Sequence, residues 1–321
     1  MRKSLMRMTL RQLRVFRAVC DNSSYSRAAE EMALTQPAVS LQIRQLEELL
    51  GQPLFEYTSK KLYLTDAAEA LKRTSEDIFG RLESLDMQLS TLQGSLQGQL
   101  KLAVESSAQY FVPHLFASFR ELHPEVSLQL AVVNHAQAIG RLNANRDDLL
   151  LISQVPSDMD LEFLPLLDNA IIAVAPPDHP LCQKDHLNLQ DLTAWPLLLR
   201  EAGSGTRRAT DEYCNQKRAH FPLTMELGSP EAQLEGVFAG LGLALLPRHA
   251  VLRELKSGAL RELPVEELPL MRSWCLVHPR GKYLSPVAQT FFAFARTERQ
   301  RIYRLERCFS GTHPPERAAT H

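Results

Sequence analysis

The chain has 321 residues, 45% apolar and 23% charged, with 36 Lys and Arg against 37 Asp and Glu, a net charge of −1. Such a composition excludes a uniform polycation, and no run approaches the roughly 18 apolar residues that a spanning helix needs. The length implies two or three globular domains with sizeable cores. Charge is nevertheless uneven: residues 1–65 carry ten Lys/Arg against six Asp/Glu, which suits a small polyanion-binding head on a near-neutral body. The five cysteines (Cys20, Cys182, Cys214, Cys275, Cys308) form no Cys-x-x-Cys pair and no Cys/His metal spacing. No apolar segment of signal-peptide type follows the basic N-terminus, so the expected compartment is the cytoplasm.

In chain order, Thr9 is placed to cap a first helix with Leu10, Leu13, Phe16 and Val19 on one side. Asp21-Asn22-Ser23 is turn material, and Ser24 can cap a short second helix that turns Ala28, Ala29 and Met32 inward. Small alanines allow a close crossing with the next helix. That helix lies in TQPAVSLQIRQLEELLGQPLF, where Val39, Ile43, Leu46 and Leu50 form one apolar stripe. Thr35 caps it, Pro37 sits in its first turn, and Gly51 ends it. Its other face carries Gln36, Ser40 and Arg44, hydrogen-bonding groups with little negative charge, beside Leu41. Two helices with a bare polar face on the second are the layout of a helix-turn-helix, which inserts that face in the DNA major groove. Gln36 suits adenine, Arg44 guanine or phosphate, Ser40 either, and Leu41 a thymine methyl. LFEYTSKKLYLT then reads as a hairpin wing with Lys60 and Lys61 toward phosphates.

The run LRQLRVFRAVCDNSSYSRAAEEMALTQPAVSLQIRQLEELLGQPLF resembles, without a gap, the N-terminal domain of the LysR-type bacterial transcriptional regulators. The resemblance implies a winged helix-turn-helix in which Thr35, Gln36, Pro37, Ser40 and Arg44 face DNA. Leu41 stands where the family often has Arg, and Tyr57 replaces the usual Arg after Leu54-Phe55-Glu56, each removing a phosphate contact.

From Asp66 to about Gln93 the chain has no proline and one glycine, and Ile78, Leu82, Leu85, Leu89 and Leu92 form a heptad seam with Leu71 seven residues ahead of it. A helix of that length, about 40 Å, needs a partner; the resemblance implies that it forms a homodimer. Tetramers, an interrupted inverted repeat as operator and contact with RNA polymerase are further implications. Gly94-Ser95 and Gly98 lead into the next domain.

The expected division is 1–65 for the head, 66–94 for the linker helix, 95–300 for an effector domain and 301–321 for a disordered tail. Within the body GQLKLAVES, VSLQLAVV, DLLLIS, EFLPLL, NAIIAVAP, WPLLLR, LTMEL, LGLALLP and SWCLVH read as strands, with FVPHLFASFRELHP and AQAIGRLNAN as helices. This is α/β, expected as two lobes around a cleft; the family resemblance implies a fold like periplasmic binding proteins.

The most distinctive local signal is LLLREAGSGTRRATDEY. A strand ends at Arg200, Gly203-Ser204-Gly205 turns, and Thr206 opens a helix whose N-terminus, with Arg207, favours an anion. Strand ends at Ser106 and Ser107 and at Ser229 are the other candidates to line one cleft. The expected ligand set is therefore Ser106, Ser107, Ser204, Thr206 and Arg207, with Arg200 and Ser229 as weaker members. LLREAGSGTR, MELGS, AGLGLALLPRH and HPRGKYLSP look most like the regulators of Calvin-cycle (RuBisCO) operons, which implies a small carboxylated or phosphorylated effector and no cofactor. Ala202, Pro230 and Leu234 depart from that pattern.

Two alternatives stand beside this reading. One is a redox-sensing regulator of the same fold using Cys182 and Cys214; the other is a cytosolic solute-binding protein. An enzyme is not expected, since no Gly-x-Ser-x-Gly elbow or His-Glu-x-x-His is present and the ten histidines are dispersed.

Overall fold

Thr9 starts the first helix, α1 (Leu10–Asn22), through a full capping box: its side chain accepts from the Gln12 N–H, and the Gln12 side chain accepts from the Thr9 N–H. The structure, a computed structural model, describes residues 5–58, 61–92 and 95–310, except the side chains of 91–92 and 299–310. Ser24 caps α2 (Tyr25–Glu31), and Thr35 caps α3 (Gln36–Leu50) by accepting from the Ala38 N–H. Gly51 closes α3 at φ 69°, in the left-handed region where a Cβ would be strained. Strands β1 (Phe55–Thr58) and β2 (Lys61–Leu64) pair antiparallel as the wing.

The head has its own core: Phe16, Val19, Ala28, Val39, Ile43, Leu46 and Leu54 are essentially sealed from water. Ala28 and Ala29 are both buried between helices, as their size requires. Helix α4 (Asp66–Leu92) follows, and the chain divides into two compact units at Leu85/Asp86 along it. Leu71 lies in the head core with Ile78 and Phe79 packed against it, so the early end of the expected heptad seam serves the head. Leu82, Leu85 and Leu89 are exposed at 42%, 50% and 52%, so among the described residues these three leucines of the seam are left about half uncovered.

The second unit is built on β3 (Gly98–Glu105), α5 (Val112–Leu122), β4 (Val126–Val133), α6 (His135–Asn143), β5 (Leu149–Ile152) and β6 (Leu161–Ala175). There follow α7 (Leu189–Leu192), β7 (Leu197–Arg200), α8 (Gly205–Lys217), β8 (Thr224–Leu227), α9 (Pro230–Phe238) and β9 (Leu243–Pro247). The last elements are α10 (Leu252–Ser257), β10 (Arg261–Glu262), β11 (Leu270–Pro279) and α11 (Pro286–Ser310). Lobe I is the order β4-β3-β5 joined by β11 and the first half of β6; lobe II is the second half of β6 with β9-β7-β8. β3, β4 and β5 run parallel to one another, as do β8, β7 and β9, while β6 and β11 pair antiparallel and cross from lobe to lobe.

EFLPLL and NAIIAVAP, expected as separate strands, are one fifteen-residue strand. Pro165 does not break it, because it sits opposite Cys275 where the register shifts between Trp274 and Cys275. Such a bulge relaxes the ladder where a proline has no N–H to give. Each lobe's sheet is covered on both faces. In lobe I, Trp274, Phe119 and Phe291 fill one side and Ala138, Leu142 and Ile152 the other. In lobe II, Leu192, Leu197 and Tyr213 oppose Val237, Leu246 and Leu260. Burial on this scale, roughly 1.5–3 kcal/mol per large apolar side chain, makes each lobe a rigid platform for its strand ends. Helix α11 runs to Ser310, ten residues past the boundary expected at 300; residues 311–321 lie outside the described part of the chain.

Candidate DNA-reading face and effector cleft

On α3, Thr35, Gln36, Pro37, Leu41 and Arg44 are exposed and Ser40 is half-buried. Gln36 Nε2 donates to Ser40 Oγ at 2.8 Å, so the two predicted base readers hold each other one turn apart on a common face. Leu41 is 52% exposed beside them. On the wing Lys61 is exposed, as are Tyr57 at 73% and Tyr63 at 50%. Lys60 lies outside the described residues.

In the second unit the ends of β3 and β7 face one another across the lobes. Ser106 opens a 3-10 turn (Ser106–Ala108) directly after β3, and Arg200 is the last residue of β7. The Arg200 side chain is only 2% exposed; Nη2 donates to Ser106 Oγ at 3.1 Å and to Glu201 Oε1 at 3.1 Å, while Nε donates to Glu201 Oε2 at 2.9 Å. Among the described residues no hydrogen bond engages Nη1, which leaves one amino group of a buried fork uncommitted.

Arg207 has a different situation. Its Nε donates to both oxygens of Asp211, and its Nη1 donates to Glu226 Oε2 at 3.0 Å and to the Arg200 carbonyl at 2.8 Å. Two carboxylates neutralise it, and its grip on the Arg200 carbonyl steadies the end of β7. Ser204 is the N-cap of α8, accepting from the Arg207 N–H, and Thr206 is 4% exposed within the first turn. Ser107 is likewise buried at 4%, and Ser229 caps α9 by accepting from the Ala232 N–H. The serines at 106 and 229 thus belong to segments that meet: Gln109 Nε2 and Tyr110 OH each donate to Glu231 Oε1 at 2.7 Å across the lobes.

These donors leave a mark on the acid. Partial burial pushes the Glu231 carboxyl upward, but hydrogen bonds from Tyr110 and Ser229 and the nearby charge of Arg200 outweigh it, and it ends below its ordinary 4.5. The Tyr110 phenol is raised well above its usual value by burial and by the same bond. Glu231, Gln109 and Tyr110 were not singled out in the sequence, although VESSAQYFVP contains two of them. Their pairing depends on which loops the topology brings together.

Residues 10–69 match the family model of the bacterial regulatory helix-turn-helix protein, lysR family, and residues 93–300 match the LysR substrate binding domain. The chain belongs to the LysR family of transcriptional regulators. The RuBisCO operon transcriptional regulator of Acidithiobacillus ferrooxidans is 41% identical over 291 residues, covering 91% of this chain and 94% of that one. The HTH-type transcriptional activator CmpR of Synechocystis is 38% identical over 292 residues, 90% of this chain and 96% of its own. The solved regulatory domain of Synechocystis CcmR, in complex with 2-PG, is 35% identical, has a TM-score of 0.61 and covers 63% of this chain and 97% of that chain.

In this LysR-type chain the redox alternative meets a physical obstacle. Burial pushes the Cys214 thiol up to about 11 and also raises Cys182, against a smaller opposing effect from Arg261. Reactive thiols need the opposite shift, toward thiolate. Among the described residues no group of His, Cys, Asp and Glu could hold a metal ion, and no helix is long and apolar enough to cross a membrane.

Proposed function

We propose that this LysR-type regulator reads an interrupted inverted repeat with paired heads, and that a small anion entering the interlobe cleft at Arg200 alters that reading. Arg200 carries the proposal: a guanidinium 2% exposed, bonded across the cleft to Ser106, with one amino group uncommitted. A planar fork held in low dielectric suits a carboxylate or phosphate. Ser106, Ser107 and Ser229 supply or support neutral donors at neighbouring strand and helix ends. Ser204, Thr206 and Arg207 act from behind the contact, capping α8 and fixing the carbonyl of Arg200. The CcmR domain solved with 2-PG is the relative whose ligand is the natural first probe.

In the heads, Gln36, Ser40, Leu41 and Arg44 would meet base edges, with Thr35, Pro37, Lys60 and Lys61 near the backbone. The exposed leucines 82, 85 and 89 of α4 would pair two chains, and a further pairing of dimers would give a tetramer. RNA polymerase is a proposed contact of the assembled complex. The ligand acts as a population shift bounded by its preference for one lobe arrangement over another. The test is a footprint of the full chain on operator DNA with and without 2-PG. The expected result is a ligand-dependent footprint that R200Q loses while its ligand-free footprint stays. A ligand-dependent footprint retained by R200Q overturns the site.

A further inference from the structure

Helix α8 offers its N-terminus toward lobe I, and its first residue is a glycine. A Cβ built on Gly205 would lie 3.0 Å from Glu105 Oε2 and 2.9 Å from Ser153 Oγ. Glu105 is the last residue of β3, one before Ser106, and its side chain is 3% exposed. Its carboxylate is fully engaged on the lobe I side. It accepts from His135 Nδ1 at 2.7 Å, from Ser153 Oγ at 2.7 Å and from the Ser153 N–H at 3.1 Å. The contact between lobes continues along the turn. The Ala136 N–H donates to the Gly203 carbonyl at 3.1 Å, and a Cβ on Gly203 would be 3.0 Å from Asn134 Nδ2. The glycines at 203 and 205, lacking a Cβ, let lobe II approach lobe I this closely.

Adjacent residues on one strand end therefore face two different parts of lobe II. Ser106 takes the Arg200 side chain, and Glu105 faces the start of α8. The helix terminus that a bound anion would favour already has an internal one beside it. We propose that Glu105 is a resident anion which docks the N-terminus of α8 on lobe I, so that the two lobes are held together by the chain itself and the effector's charge is met by Arg200. Glu105 is thus a positioning residue for the cleft. This rests on the cleft being the effector site, but its first readout requires no effector.

That readout is hydrogen exchange of the Ala136 amide in the full chain, since its bond to Gly203 exists only while the lobes are docked. Glu105→Gln keeps the shape and removes the charge, and should speed that exchange by roughly two- to thirty-fold, the range of a charge at a helix end. Amides between β7 and β8 should be unchanged. Gly205→Ala attacks the same contact from the other side and should act likewise. In the double variant the two increases should fail to multiply, because both remove one contact. Should Glu105→Gln not fold, Gly205→Ala carries the test alone. Unchanged Ala136 exchange in the folded variants, or increases that multiply independently, overturns the proposal. Failure of the effector site looks different: 2-PG then produces no heat and no change of exchange in the unsubstituted protein, whatever Glu105 does.

Discussion

Replacing Arg200 by Gln removes the guanidinium that crosses the cleft to Ser106, and the structure sets the scale. Arg200 is 2% exposed and Glu201 23%, with two hydrogen bonds between them and a third to Ser106. Breaking a fully buried pair costs about 3–5 kcal/mol, but the partial exposure of Glu201 lets water take over its carboxylate, so about 2–3 kcal/mol of stability is expected to go. For ligand, losing a buried charged fork should cost about 2–3 kcal/mol, roughly a 30- to 150-fold weaker Kd. Arg200→Lys keeps the charge without the fork and should fall between, at roughly tenfold. Calorimetric titration of the full chain with 2-PG measures the affinity, and thermal melting measures the stability. An R200Q protein that melts lower as expected yet binds 2-PG with an unaltered Kd would rule Arg200 out as the anion's partner, because it would separate the buried cation from the ligand.

Gln36→Ala should relax base preference at one operator position by about 1–3 kcal/mol, whereas Lys61→Ala should weaken all sequences alike and reduce the salt slope by about one, both read by footprinting across salt. Leu82→Glu with Leu89→Glu should move sedimentation toward monomer and abolish tight operator binding; an unchanged sedimentation coefficient places the dimer contact elsewhere. Glu231 has a folded pKa below its ordinary 4.5, so its contribution is complete above that value and disappears as pH falls through the lower, folded one. The melting difference between the unsubstituted chain and Glu231→Gln should accordingly hold at neutral pH and shrink as pH falls below the ordinary 4.5 toward the lower, folded value; a difference that does not shrink at all under acid means the bonds from Gln109 and Tyr110 do not depend on that charge.

Much of the head was legible because its signals are local. Thr9, Ser24 and Thr35 cap where hydroxyls precede apolar periodicity, and Gly51 stands where the chain turns left-handed. The body was legible as an α/β order, while its long crossing strand was obscured by Pro165, whose tolerance depends on a bulge in a distant partner strand. The cleft shows the limit most clearly. Ser106 and Arg200 are 94 residues apart, and their meeting is a property of topology. The ranking of Arg207 above Arg200 had a readable warning, since Asp211 follows Arg207 by four residues on a helix, the spacing of an ion pair. Glu226 from β8 completes that neutralisation and had no local signal. Glu105 was equally silent: a carboxylate at a strand end becomes a docking element only when His135, Ser153 and Gly205 are folded around it.

The most direct test is a crystal structure of the full chain grown with 2-PG. The expected density places the anion between the lobes, with a charged oxygen on the Arg200 guanidinium near Ser106, Glu105 still beside Gly205, and Arg207 still on Asp211 and Glu226. Ligand density seated on Arg207 with those two carboxylates displaced, or lying outside the cleft, would contradict it.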